Sequence, residues 1–243
     1  MDKVIVTGAS RGIGLAIAGK LAASGYGVIA VARRGGEELD AAIEACRGGS
    51  GSLEFAALDL SEIAAIPEFV RRLRRDKGPI YGLVNNAGIG TEGLLATMPN
   101  DQIEALLRLN TLSPIVLTKY VVRGMMADGR GRIVNLSSII ASTGYNALSV
   151  YGATKAAMIG FTKSLSREVG RLGVTVNAIA PGFIDTEMTR GLEETQRKRI
   201  ADRSALRRLA EVEDVANMAA YLIGETGRNI TGAVMTVDAG GTA

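Results

Sequence analysis

The first two dozen residues restrict the fold more than any other stretch. A short β-branched run, Val4-Ile5-Val6-Thr7, meets Gly8-Ala9-Ser10-Arg11-Gly12-Ile13-Gly14, and a helical pattern then continues to Ala23. Strand, glycine loop and helix in that order open a parallel α/β unit. Gly8 permits the tight turn, Gly12 lets the backbone approach a pyrophosphate, and Gly14 allows helix and strand to pack closely. The unpaired N–H groups at the helix start, with Ser10, Arg11 and Ile13 in the loop, then form a site for a phosphate-bearing dinucleotide. The spacing is Gly-x3-Gly-x-Gly rather than the more familiar Gly-x-Gly-x-x-Gly.

The remainder of the chain repeats the alternation. Residues 26–32, 53–58, 80–84, 131–136, 174–180 and 233–237 read as strands. Residues 37–45, about 101–126, 149 onward and 213–222 read as helices. The expected fold is α/β, a doubly wound parallel sheet with helices on both faces. With 243 residues and 47% hydrophobic content, the chain suits one domain spanning 1–243. The balance of 28 basic against 25 acidic residues argues against a nucleic-acid partner. One Cys and no His exclude internal disulfides and imidazole acid–base chemistry, and no metal site is expected. No cleavable signal and no apolar run of membrane-spanning length are visible, so a cytoplasmic location is expected.

The chemistry centres on residues 138–155. If the segment from Ser149 onward is helical, Tyr151 and Lys155 lie one turn apart on one face. An ammonium beside a phenol favours phenolate, which makes the pair a proton donor and acceptor near neutrality. Ser138 follows the strand at 131–136, so its hydroxyl emerges at the carboxyl edge, where ligands bind in such sheets.

Other positions have two readings each. Arg33 and Arg34 end the second strand, where a carboxylate would suit NAD and a guanidinium suits the 2′-phosphate of NADP(H). Either they and Arg11 bind that phosphate, or Glu37 and Glu38 neutralise them as solvated loop charges. Asp59 either accepts from an adenine amine, beside Leu60, or takes a capping role, with Ser61 as a helix N-cap candidate. Asn85-Asn86-Ala87-Gly88 either lets the chain pass close to a flat ring or ribose, or holds the sheet edge. Asn110, amid leucines, satisfies a local backbone carbonyl and holds a helix kink, holds a water beside the Lys155 amine, or does both. The basic run at 71–77 reads as charge offsetting a helix dipole. The charged stretch to Arg203 is either a lid, placed at about 183–205, or a solvated surface helix.

Taken together, Thr7-Gly8-x3-Gly12-x-Gly14, Asn85-Asn86-Ala87-Gly88, Asn110, Ser138, Tyr151-x3-Lys155 and Pro181-Gly182 resemble the classical short-chain dehydrogenases/reductases over nearly the whole chain. The resemblance implies a seven-stranded Rossmann fold, an Asn110–Ser138–Tyr151–Lys155 tetrad and a homotetramer built partly on the helices at Asp101 and Ser149. It further implies that Ser138 holds a carbonyl, Tyr151 delivers a proton to its oxygen and Asn110 binds a relay water. Lys155 would lower the Tyr151 pKa and, with Tyr151, hold the nicotinamide ribose. Pro181, Gly182, Ile184 and Thr186 would hold the carboxamide, and Ile140, Tyr145, Leu148, Phe183 and Met188 would line the substrate.

Within that family the chain is most similar to the β-ketoacyl-[acyl-carrier-protein] reductases, through residues 132–135, 164–168 and 181–188. Leu148 and Ile89-Gly90-Thr91-Glu92 depart from that subfamily's pattern. The substrate expected is a small-molecule or carrier-linked acyl group, with a general ketone, sugar or polyol reductase and a cofactor-sensing protein as alternatives. Arg130, Arg167 and Arg171 either receive an acidic acyl carrier protein or form a solvated charge face.

Overall fold

A computed structural model describes residues 1–184 and 194–243. Its strands are β1 (Lys3–Thr7), β2 (Gly27–Ala32), β3 (Ser52–Ala57), β4 (Ile80–Asn85), β5 (Gly131–Leu136), β6 (Val174–Pro181) and β7 (Val234–Val237). They form one sheet in the order β3-β2-β1-β4-β5-β6-β7, every neighbouring pair parallel. The helices are α1 (Gly12–Ala23), α2 (Glu37–Ala45), α3 (Ile66–Lys77), α4 (Asn100–Leu107), α5 (Ser113–Asp128), α6 (Ser149–Val169), α7 (Glu194–Arg203) and α8 (Val212–Ile223). This is the doubly wound Rossmann architecture.

The period of two along each strand divides the core. Val4 and Val6 of β1 pack toward α1 and α8, whereas Ile5 packs toward α3 and α5. β2 does the same, with Val28 and Ala30 on one side and Ile29 and Val31 on the other. A strand covered on both faces must be apolar at every position, which is why these runs lack polar alternation. The helix pair α1 and α8 buries Ile17, Leu21, Val215 and Leu222 on one face. Helices α3, α5 and α6 bury Phe69, Leu117, Met125 and Leu165 on the other.

All strands being parallel, the residues that follow them meet at one edge. The order reverses between β1 and β4, so a crevice opens there, beyond Thr7 and Asn85. The single helix expected at 101–126 is interrupted. A π-helical turn at Arg108–Leu112 separates α4 from α5. Pro114, in the first turn of α5, has no N–H to donate to the carbonyl of Asn110 four residues back, so the α-helical ladder cannot run through this point. Among the described residues, no helix is long and apolar enough to cross a membrane.

Candidate active site

The glycine loop is held by close backbone approach. A Cβ at Gly14 would drive into the Gly8 carbonyl oxygen and lie 2.5 Å from Asn86 Nδ2, so only glycine lets α1 start against β1. Gly12, at φ +57, has no neighbour that a Cβ would meet within 4 Å, which leaves its outer side open to a ligand. Thr7 Oγ1 accepts from the N–H groups of Asn86 and Ala87 at 2.9 and 3.0 Å. Asn86 Nδ2 donates to the Thr7 and Gly8 carbonyls at 2.9 and 3.2 Å. The Asn86 side chain therefore ties the loop to the segment after β4.

Arg33 and Arg34 stand exposed beyond β2, and among the described residues neither forms an ion pair. Glu37 and Glu38 do not neutralise them. Two unpaired guanidinium groups at this position fit a 2′-phosphate. Asp59 Oδ1 accepts from Ser61 N and Ser61 Oγ at 2.9 and 2.7 Å, so it holds the turn after β3 and caps neither following helix. These bonds, and the nearby Arg33 charge, lower the Asp59 pKa. Ser61 is not a helix N-cap, because its hydroxyl is committed to Asp59 and α3 starts five residues later. Leu60 is buried in the core, so only its backbone is left to meet a ligand.

Three of the four catalytic candidates, Ser138, Tyr151 and Lys155, converge at the end of β5. Ser138 is buried, its extended backbone leading out of the strand, and its Oγ accepts from Ile140 N at 3.3 Å. Its hydroxyl also interacts with the Tyr151 phenol and favours the phenolate. Ser137 Oγ donates to the Lys155 carbonyl at 2.8 Å and fastens α6 to the strand end. Lys155 is buried, its Nζ donating to the Leu136 carbonyl at 2.9 Å and standing 5.7 Å from the centre of the Tyr151 ring.

The electrostatics differ from the expectation that Lys155 lowers the Tyr151 pKa. Burial pushes the Tyr151 phenol up, with the Ser138 hydroxyl opposing it, and the ammonium is not among the causes. Burial likewise lowers the Lys155 amine to about 8. The physical reason is the same for both groups: each charged form loses water, and at this separation the chain's own attraction does not compensate.

Asn110 is buried, and its side chain is spent on the loop after β4. Its Oδ1 accepts from Ile89 N at 2.9 Å, while Nδ2 donates to Ile89 O at 2.8 Å and Thr154 Oγ1 at 3.2 Å. Asn110 lies in the π-helical turn, but its side chain bonds the loop after β4 and Thr154 rather than a carbonyl of its own helix. Gly88 lies between Asn110 and Lys155, since a Cβ there would be 3.1 Å from Asn110 Oδ1 and 3.6 Å from Lys155 Nζ. Thr154 and Ser137, which hold Asn110 and Lys155 in place, were not singled out from sequence. Their only signal is adjacency to Lys155 and Ser138.

Beyond β6, Gly182 packs so tightly on Asp238 that a Cβ would come within 2.5 Å of the aspartate Cβ. Ile184 is buried and bridges to Ala210. Tyr145 and Phe183 contact each other at 5.6 Å between ring centroids, and Ile140 and Leu148 are half-buried in the loop before α6. Thr186 and Met188 lie outside the described residues, as does 185–193 of the expected lid; the rest of that lid contains α7, which buries no side chain.

Arg130, Arg167 and Arg171 are at the opposite edge of the sheet. Arg130 precedes β5, Arg171 precedes β6 and Arg167 is in the last turn of α6, so within one chain they lie away from Tyr151. Arg130 is also engaged, paired with Asp2 and 4.7 Å over the Tyr81 ring. Among the described residues, no cluster of three or more His, Cys, Asp or Glu is placed to hold a metal ion.

Comparison with known proteins agrees with this geometry. The family model for short chain dehydrogenases matches residues 2–197. The chain is 39% identical to the 3-oxoacyl-[acyl-carrier-protein] reductase of Escherichia coli (strain K12) over 236 residues, covering 97% of this chain and 95% of that protein. The solved structure of a gluconate 5-dehydrogenase from Burkholderia cenocepacia, in complex with NADP and tartrate, superposes with a TM-score of 0.93 at 28% identity, covering 99% of this chain and 95% of that one. A short-chain dehydrogenase/reductase from Serratia marcescens gives 0.92 at 32% identity, covering 100% of this chain and 98% of that one. With its parallel sheet, its glycine loop and its Ser138, Tyr151 and Lys155 at one strand end, the chain belongs to the short-chain dehydrogenase family, oxidoreductases acting on CH–OH and C=O groups.

Proposed function

We propose that the chain reduces the β-carbonyl of acyl thioesters, linked to acyl carrier protein or coenzyme A, with NADPH as reductant. The observation that carries this reading is an apolar rim beside Tyr151. Leu94, Leu95 and Tyr145 are 58%, 60% and 48% exposed, and Ile89 stands with them. The two loops that carry these side chains are joined by Gly93 N donating to Ala147 O at 2.9 Å, and Met98 packs with Val150 and Tyr151 beneath them. Covering apolar surface is worth about 25 cal/mol per Å2, which an acyl chain would gain and a polyol would not. The identity of 38–39% to 3-oxoacyl-[acyl-carrier-protein] reductases supports the same substrate class.

The fitting residues for NADPH follow from the crevice. The backbone from Gly8 through Ser10, Arg11, Gly12, Ile13 and Gly14 would hold the pyrophosphate, and Arg33 with Arg34 the 2′-phosphate. Asp59 and the Leu60 backbone would meet the adenine, Asn86, Ala87 and Gly88 the adjoining ribose, and Pro181, Gly182 and Ile184 the carboxamide. Tyr151 and Lys155 would hold the nicotinamide ribose. Bound there, the nicotinamide supplies the hydride.

The chain's own residues handle the proton. Ser138 Oγ donates to the substrate carbonyl oxygen, and Tyr151 gives that oxygen its phenolic proton. Because burial raises the Tyr151 pKa, the phenol is loaded with its proton at neutral pH, which suits the reductive direction. Leu107 and Leu112, both exposed along the α4–α5 rod, offer an apolar face on which the family's tetramer would assemble.

The test follows NADPH absorbance with acetoacetyl-CoA beside simple ketones and polyols, in wild type and Tyr151→Phe. Thioester turnover that falls about 1000-fold in the variant, with NADPH binding retained, is the expected result. Turnover of a ketone or polyol alone would make the protein a general carbonyl reductase. Tight NADPH binding without any turnover would make it a sensor.

A further inference from the structure

A second chamber adjoins the Ser138 site. The loop that leaves Ser138 forms one wall of a cavity of about 190 Å3, through Ile139 and Tyr145. Phe183, in contact with Tyr145, continues that wall, and Arg203, Arg208 and Asp238 supply the charged lining. The charges decide what enters.

Among the described lining residues the charges do not cancel. Asp238 is used internally, Oδ1 accepting from Gly240 N at 2.9 Å and Oδ2 from Thr242 Oγ1 at 2.7 Å. Arg208 has one carboxylate at the edge of ion-pair range, Asp214 at 3.8 Å, in a pair that is largely exposed to solvent. Arg203, at the C-terminal end of α7, has no hydrogen bond or ion pair among the described residues. Two guanidinium groups thus face one internally bonded carboxylate between aromatic and aliphatic walls. A planar guanidinium presents paired N–H donors that match the oxygens of a carboxylate or phosphate, and both side chains are exposed and open to a ligand.

We propose that this chamber binds an anionic group of the substrate, with Arg203 as its principal partner and Arg208 as its second. The inference rests on the reading of Ser138 and Tyr151 as a carbonyl-reducing site. Ile139 directly follows Ser138, so an anion held here sets the placement of the substrate in the adjoining site. The role of Arg203 is specificity: it selects which carbonyl compound is positioned, and takes no part in proton transfer. Two sources share this chemistry, the phosphate of a phosphopantetheine arm and the carboxylate of a free oxo acid.

The experiment uses the NADPH complex and two matched substrate pairs. One is acetoacetyl-4′-phosphopantetheine against acetoacetyl-pantetheine; the other is 5-oxohexanoate against its methyl ester. Arg203→Met is expected to raise KM about tenfold for the charged member of one pair, leaving kcat and the neutral member unchanged, and Arg203→Lys to recover most of the loss. A loss confined to the phosphorylated thioester identifies the carrier arm, and a loss confined to the oxo acid identifies a free acid. Equal effects on charged and neutral members, or no effect on either, overturn the proposal. Calorimetric titration of the same complex with 4′-phosphopantetheine and with 5-oxohexanoate separates it from the catalytic reading. If wild type turns over none of the four, the carbonyl-reductase reading fails. The anion site still stands if Arg203→Met weakens binding of a charged ligand about tenfold, and falls if it does not.

Discussion

Asn86, just beyond β4, and Arg203, beside the chain end that follows β7, both serve the carboxyl edge of one sheet, yet they are held in opposite ways. Asn86 Nδ2 gives its protons to the Thr7 and Gly8 carbonyls, and its backbone N–H meets Thr7 Oγ1. Arg203 binds nothing among the described residues. The proposed nucleotide side is thus built from main chain brought within hydrogen-bond range and locked before a ligand arrives. The proposed substrate side keeps large apolar and cationic side chains exposed, so its energy would be released only when a ligand covers them. Pre-organisation serves the shared cofactor, and side-chain identity serves the particular substrate.

The contrast breaks most visibly at Gly14. Replacing it with Ala puts a Cβ into the Gly8 carbonyl oxygen, so α1 must move off β1 or Asn86 must release the loop. A loss of about 3 kcal/mol in stability, near the upper end for overpacking a close site, is expected in thermal unfolding. Cofactor binding should fall with it. A Gly12→Ala protein is the control, because no atom waits within 4 Å of a Cβ there and only the positive φ is strained. Equal losses at the two positions would mean that close approach at Gly14 is not what fixes the loop.

Arg33 and Arg34 are the exception on the nucleotide side, since they hold exposed charge in reserve as Arg203 does. Replacing both with Ala is expected to weaken NADPH about thirtyfold, or about 2 kcal/mol, and to leave NADH within twofold. Fluorescence titration of both cofactors checks it. An unchanged preference would place these arginines among the solvated surface charges.

This difference also decides what could be read from sequence. The strand–loop–helix at the N-terminus was legible because glycine at Gly8 and Gly14 answers a backbone need that no other residue meets. Tyr151 and Lys155 were legible because spacing of four on a helix fixes a shared face. The seven strands were legible from their apolar runs, to within a residue or two at their ends. Burial was not legible, and it overrode the expected coupling: it raises the Tyr151 pKa and lowers that of Lys155. Nor was the Arg203 chamber, because residues 139–145, 183, 203–209 and 238–242 meet only through tertiary packing. The interruption at Asn110 had a readable cause in Pro114, but the leucine pattern around it continued without a break.

Lys155 lies on the seam between the two sides, and its titration sharpens the comparison. Its folded pKa of about 8 is below the ordinary value of 10.5. Below pH 8 the folded and unfolded chains both carry the proton, and the wild type bears the full cost of the buried ammonium. Between the two values the unfolded chain holds a proton that the folded chain lacks, so stability rises with pH. Lys155→Met removes that cost together with the bond to the Leu136 carbonyl. The cofactor-free variant should therefore be more stable than wild type at pH 7 by about 1–2 kcal/mol, with the advantage shrinking from pH 8 toward 10.5. Urea unfolding at several pH values measures it. A difference that stays constant with pH would mean that desolvation of Lys155 is not what shifts its pKa.

The smallest effect is expected at the apolar rim, where it is most diagnostic. Leu95 is 60% exposed, so Leu95→Ser should leave the folded protein nearly as stable as before. What changes is the apolar surface offered to an acyl chain. A partly covered leucine is worth about 1 kcal/mol, roughly a fivefold change in kcat/KM. That change should appear with a long-chain β-ketoacyl thioester and be absent with acetoacetyl-CoA, whose short chain does not extend along the rim. A fall of the same size for both substrates would mean that Leu95 shapes the site through the loop rather than through contact. The rim would then be pre-organised like the glycine loop, and the division between the two sides of the edge would fail at its substrate end.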